Sequence, residues 1–275
     1  MNKILIVAQK EFRDGIRNRW AISIAVVFVL LSLGLAYFGS ATAGVLGFSS
    51  LESTLVSLGS LCVMLVPLIA LMLAYNSFVG ELEQGTLLLL LTYPLSHNQL
   101  LLGKFMGQAA ILSAAALVGF GIPAVVISIM SDVNVAEVLL AFSAFIVAAS
   151  VLGWVFIALA YVISLCVAEK SKAAGLALVV WFLFVLVFDL MLMALLVASE
   201  GDINQTWVPY LLWFNPTDVF RIFVYMIVGS TNLTGVLSIA DQGSNGIVHL
   251  SVVMLSWVAL PLLLSAWILK RKELS

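Results

Sequence analysis

The chain has 275 residues, 63% of them hydrophobic and 9% charged, with a net charge of −2 and a mean hydropathy of +1.19. A water-soluble domain carries about a quarter charged residues, so this much apolar surface cannot hide in one core and its solvent is lipid. The small negative charge suggests no nucleic-acid partner. Two cysteines in separate apolar runs, Cys62 and Cys166, fit neither a disulfide framework nor a CxxC site and read as packed thiols.

In chain order, residues 3–20 come first and are amphipathic. Ile4, Leu5, Ala8, Phe12, Ile16 and Trp20 share one helical arc, while Lys3, Lys10, Arg13 and Arg17 share another; Gln9 and Arg19 intrude on the apolar arc. Such a segment is an interfacial helix over 1–19, with its basic face toward anionic lipid. "SATAG" at 40–44 has a small-x-small pattern, but the basic region before the first apolar run is too long and too patterned for a cleaved leader.

Apolar runs follow at 20–42, 57–79, 104–130, 136–167, 174–198 and 247–269. A crossing needs about 20 such residues. The predicted fold is an all-α polytopic membrane protein with six transmembrane helices in one domain over 1–275. The third and fourth runs exceed the bilayer, which predicts tilt or a break, and Pro123 is a kink point. Of the 12 Lys and Arg, 11 fall on one side, all except Arg221, and the other side carries Glu52, Asp132, Glu137, Glu200, Asp202 and Asp241. The positive-inside rule makes the basic side cytoplasmic, with both termini there.

Between the second and third runs lies "GELEQGTLLLLLTYPLSHNQLLLGK", residues 80–104. Residues 81–92 predict a helix opposed only by Gly85. Pro94 breaks it, and Ser96 with Gln99 makes a capping box for a second helix. The five leucines at 87–91 surround any helix axis, so some must be covered by lipid, the bundle or another protein. A plain connecting loop would suffice for the charges; the leucines favour a docking element. Its candidate edge is Glu81, Glu83, Gln84, Gly85, Thr86, Pro94, Ser96 and His97.

Inside the fifth run, Asp189 is an acid at bilayer depth and hence a functional candidate or a paired structural acid. Met191 and Met193 flank it; thioethers bind copper(I), but methionine also packs apolar helices. The segment 199–246 reads as one or two short helices lying at or dipping into the outer leaflet, with Trp207, Tyr210, Trp213 and Tyr225 suited to the interfacial belt. The helix from 217 starts with Thr217 as its cap, and Asp218 pairs with Arg221 at i, i+3. This segment is either a lid or a docking platform, with Trp207, Tyr210, Trp213, Asn215, Asp218 and Arg221 as the candidate partner face.

No G-x-x-x-x-G-K-[ST] occurs, so ATP phosphates are not bound in the P-loop manner. No nucleophile triad or H-E-x-x-H appears, and His97 and His249 fall on opposite sides, so no catalytic or metal site is assigned.

The pattern E-x-E-x-G-T, an apolar run, T-x-P-x-S and L-L-L-G-K resembles the signature of ABC-2 type transporter permeases. It stands after the second of six spans, where that family has it, and "NPTDVFR" at 215–221 resembles the family too. Leu88 stands where many relatives carry a charged residue. The resemblance implies that residues 80–103 are the coupling region for a separate cytoplasmic ATPase, that ATP and Mg reside on that partner, that this chain carries no cofactor and no catalysis, and that it works as a homodimer in the bacterial inner membrane. Overall, the chain is most similar to permeases serving copper-site maturation of nitrous oxide reductase, which implies a periplasmic β-helical partner at 199–246. The alternatives are an ABC-2 exporter of a drug, lipid or polysaccharide, and a secondary transporter, which would show internal repeats that this sequence lacks.

Overall fold

The computed structural model describes residues 3–17, 19–38, 50–85, 96–130, 133–198, 208–229 and 246–272, and among them there is no strand. The elements are α1 (Lys3–Arg17), α2 (Trp20–Phe38), α3 (Leu51–Ala74), α4 (Val79–Glu83), α5 (His97–Met130) and α6 (Val135–Cys166). There follow α7 (Lys170–Phe182), a π-helical turn (Leu183–Val187), α8 (Phe188–Ala198), α9 (Val208–Leu212), α10 (Pro216–Val228) and α11 (Ile247–Lys272). Among the described residues, six helical stretches are long and apolar enough to cross a membrane: Ala21–Phe38, Leu51–Glu83, His97–Met130, Val135–Cys166, Lys170–Ala198 and Ile247–Arg271. The chain is a multi-pass membrane protein, with the six spans that the apolar runs predict. An even number of crossings brings α1 and the C-terminal turn of α11 to one end, the basic end; the opposite one is the far end.

In lipid, apolar burial alone does not drive helices together, so close packing rests on small residues and directed polar contacts. The fourth span is the axis of the bundle, with 67% of its apolar window buried, against 17% for the fifth span and 22% for the first and sixth. An aromatic chain crosses four helices: Phe28 stacks on Phe120 at 5.0 Å, Phe120 meets Phe145 edge-on at 5.2 Å, and Phe145 meets Phe220 at 6.1 Å.

α5 seats α1 through two glycines spaced G-x-x-x-G. A Cβ on Gly103 would lie 2.6 Å from Val7 Cβ, and one on Gly107 would lie 2.6 Å from Glu11 Cβ and 2.8 Å from the Ala8 carbonyl oxygen. This divides α1 into three faces where its sequence suggests two. Val7, Ala8 and Glu11 meet α5, Leu5 and Ile16 stay exposed, and Lys3, Lys10, Arg13 and Arg17 are exposed to solvent or headgroups.

Two local expectations resolve differently. The capping box forms: Ser96 N–H donates to Gln99 Oε1 at 3.1 Å and Gln99 N–H to Ser96 Oγ at 3.3 Å. The expected helix over 81–92 instead ends at Glu83. Gly85 takes the left-handed conformation at φ +66°, and its N–H donates to the Leu82 carbonyl at 3.1 Å. A glycine in that conformation just past the last turn is a helix terminator. Those leucines, at 87–91, lie outside the described residues, as do Thr86 and Pro94.

Gly107→Leu is expected to force α1 off α5 and lower stability by about 1–3 kcal/mol, the usual cost of overpacking. Gly121→Leu, with open space around it, should change little. Thermal unfolding and proteolytic cleavage of α1 in the purified protein would check both.

Candidate functional site

A buried cation organises the basic end. Lys104, about two turns into α5, is 3% exposed. Its Nζ donates to Glu81 Oε1 at 2.6 Å and to the Ser77 carbonyl at 3.1 Å, lies 3.5 Å from Glu11 Oε1, and sits 5.5 Å from the centre of the Phe78 ring. Burying an ammonium is tolerated only where carboxylates and carbonyls replace its water. α1, α4 and α5 each supply one member of this group, so none of them can shift alone.

Further polar contacts fix α4. Its first turn has no side-chain cap of its own. Ser164 Oγ, fully buried on α6, instead accepts from the N–H groups of Phe78 and Val79, both at 3.0 Å. Gln108 Nε2 donates to Ser77 Oγ at 2.7 Å while its Oε1 accepts from Tyr161 O–H at 3.1 Å. At the other end of α4, Glu83 Oε1 accepts from the Lys170 N–H at 2.6 Å, so Glu83 caps α7, where Glu169 makes no side-chain cap. A carboxylate at a helix N-terminus satisfies an orphan donor and matches the helix dipole. An open cleft of about 500 Å³ lies beside this group, lined by Glu11, Asp14, Gln84, Lys104 and Lys170 among others.

The docking edge assigned from sequence is therefore divided. Gln84 and Gly85 are exposed, Ser96 is spent on the capping box, and His97 opens α5 half-buried. Glu81 is a correction: its carboxylate turns inward to Lys104 and not outward to a partner. The reason is that Lys104, counted among the solvated basic residues by its position in the sequence, is desolvated. The residues missed are Glu11, Ser77, Lys104, Gln108, Tyr161 and Ser164. Gln108 and Ser164, polar groups inside apolar runs, were the available signal.

A second polar group lies toward the far end. α9 and α10 form a re-entrant hairpin: Asn215 Nδ2 and Thr217 Oγ1 both donate to the Phe184 carbonyl, at 3.0 and 3.3 Å. Phe184 is the midpoint of the fifth span, Lys170–Ala198. It lies within the π-helical turn, a feature often found at functional positions. The hairpin's turn is fixed again from α11, where Trp257 Nε1 donates to the Trp213 carbonyl at 2.9 Å. Non-helical backbone at such depth persists only where protein groups satisfy it, and these contacts do so.

One turn further along both helices, Arg221 Nη1 donates to Asp189 Oδ2 at 2.7 Å and to Asp218 Oδ1 at 3.0 Å. The i, i+3 pair is the one the sequence predicts, and the intramembrane acid Asp189 has its partner. Asn215 Oδ1 accepts from Thr217 N–H at 3.1 Å. The N-cap of α10 is thus Asn215 and not Thr217, because Pro216 occupies the first helical position. Asn215 and Asp218 are a further correction. Both are buried, at 0 and 2% exposure, and serve the hairpin's interior, not an outward face. Of the other residues assigned to that face, Tyr210 is exposed, Trp213 and Arg221 are half-buried, and Trp207 lies outside the described residues. Met191 and Met193 are 58 and 56% exposed.

A membrane domain with six spans, a clamped helix after the second and a re-entrant hairpin before the last is the architecture of a transporter permease. The family model for the ABC-2 family transporter protein matches residues 5–274, and the chain belongs to that family. Among curated proteins, it is 48% identical over 274 residues, 99% of each chain, to the "Probable ABC transporter permease protein NosY" of Stutzerimonas stutzeri. It is 45% identical over the full length of both chains to the protein of the same name from Pseudomonas aeruginosa. The chain is the membrane permease subunit of an ABC transporter, of the NosY-like kind.

Lys104→Ala strands two half-buried carboxylates, Glu81 and Glu11, and is expected to cost about 3 kcal/mol, the low end for a broken buried pair. Adding Glu81→Ala and Glu11→Gln should recover part of that stability. Thermal unfolding of the purified variants measures both steps.

Proposed function

We propose that the basic end faces the cytoplasm of a bacterial inner membrane, with both termini there, and that residues 80–103 dock on a separate ABC ATPase of the NosF type. ATP and Mg bind on that partner, and this chain performs no catalysis. Two copies of the chain form the membrane unit. The observation that supports this best is the clamping of α4. Its turn is held by Lys104, Ser164 and the Glu83 cap, immediately before the leucine run. A helix fixed to the ends of several spans transmits a push as rigid-body motion. The sided distribution of Lys and Arg supports the orientation.

We further propose that this transporter serves copper-site maturation of nitrous oxide reductase, and that a periplasmic β-helical protein of the NosD type meets the far end. The two NosY relatives, matched over essentially the whole chain, support this reading. The chain contributes coupling and shape, with metal chemistry left to its partners.

Gly85→Val strains the left-handed turn that directs the chain into 86–95. It is expected to reduce co-purification of the ATPase about tenfold, or roughly 1.4 kcal/mol, in a protein that still folds. Glu83→Ala combined with Thr86→Ala should do likewise. A wild-type protein that functions with no ATPase attached would end the reading. Deleting the gene should leave nitrous oxide reductase made but without its copper-sulfide site; an intact site would point instead to an ABC-2 exporter of another substrate.

A further inference from the structure

The fifth span differs from its neighbours in how it is held. Only 17% of its apolar window is buried, the least of the six, yet it carries directed polar contacts at two levels. At its start, the Lys170 N–H is bound by Glu83 of α4. From its midpoint outward, the Phe184 carbonyl and Asp189 are bound by Asn215, Thr217 and Arg221 of the hairpin. The two sets are separated by the 14 residues from Lys170 to Phe184, about 21 Å of helix at 1.5 Å per residue. Along its inner half, Trp181 Nε1 donates to the Met64 carbonyl of α3.

The second span is the rival path, since it continues directly into α4 and also touches α10. That contact is apolar: Gly59 of α3 faces Val224, and a Cβ there would stand 3.2 Å from Val224 Cγ1. Apolar surfaces in lipid slide past one another at small cost, because acyl chains take the place of the departing surface. Charge-assisted hydrogen bonds do not, since each donor parted from its acceptor at that depth is left unsatisfied. The fourth span is gripped by most of the bundle and is poorly placed to move.

We infer that the fifth span is the strut linking α4 to the re-entrant hairpin, with Glu83 as its inner grip and Asp189, Arg221 and Asn215 as its outer one. These are positioning residues for coupling: they touch no cargo, and they determine whether a displacement of α4 reaches the far end. Because the hairpin hangs from the strut's midpoint and outer half, a tilt or axial shift of Lys170–Ala198 moves α9 and α10 with it. The inference rests on the reading that an ATPase drives α4.

The test uses the full transporter with its ATPase in lipid nanodiscs and two spin-label pairs within one chain. Asn98 with Lys172 reports the basic end; Tyr210 with Val248 reports the far end. All four positions are exposed. In the otherwise wild-type protein, nucleotide is expected to shift both distances. Asp189→Asn combined with Arg221→Gln removes this ion pair, while Asp218 keeps its hydrogen bond from Asn215 Nδ2; it should keep the basic-end shift and abolish the far-end shift. Arg221→Lys, which keeps the ion pair, should restore it, an outcome that simple destabilisation does not give. A far-end shift undiminished in the double variant overturns the strut. If nucleotide shifts neither pair in the wild-type protein, both the strut and the ATPase-driven reading fall, and the co-purification assay separates these cases.

Discussion

A single desolvated ammonium sets the geometry of the basic end. Lys104 is nearly sealed from solvent and has Glu81, Glu11 and the Ser77 carbonyl around it. Removing a cation from water is costly, and the cost is met only while every partner is in place. The surface helix, the short helix after the second span and the start of the third span therefore have one mutually consistent arrangement. Replacing this centre by apolar side chains of similar volume is compatible with stability in principle, but it would not specify where α4 points. Position, more than stability, is what the buried charge contributes.

The far end solves a related problem without a lone charge. The hairpin brings a turn of irregular backbone to mid-span depth, where water is absent from the surroundings of its N–H and C=O groups. Asn215 serves as helix cap, as donor to the Phe184 carbonyl and as partner of Asp218. Three roles on one amide explain why a polar residue is fully buried there. The π-helical turn in the fifth span matters for the same reason, since it contains the carbonyl to which both Asn215 and Thr217 donate.

The spans were legible in the sequence because hydropathy over some 20 residues is a property of composition, and lipid reads composition. The capping box at Ser96 and the Asp218–Arg221 pair were legible because both are local, within three residues. What escaped was set by contacts distant in sequence. Glu81 looked like a surface acid because its cation is 23 residues away, and Glu11 is 93 residues from the same cation. Asp189 was recognisable as costly, but its partner lay 32 residues on, in a segment that read as surface. Gly85 showed the reverse error. Its left-handed turn is a local stop signal, obscured in the sequence by the good helix formers beside it.

The three-faced character of α1 bears on the order in which the chain is made. α1 is synthesised before the glycines that receive it, Gly103 and Gly107, which emerge roughly 90 residues later. Until then the lipid headgroup layer can hold it, which suits its exposed Leu5 and Ile16 alongside a basic face. The same helix must then surrender part of that lipid surface so that Val7, Ala8 and Glu11 can close on α5. Its amphipathicity is thus a temporary berth, holding this segment at the membrane surface until its permanent seat is built.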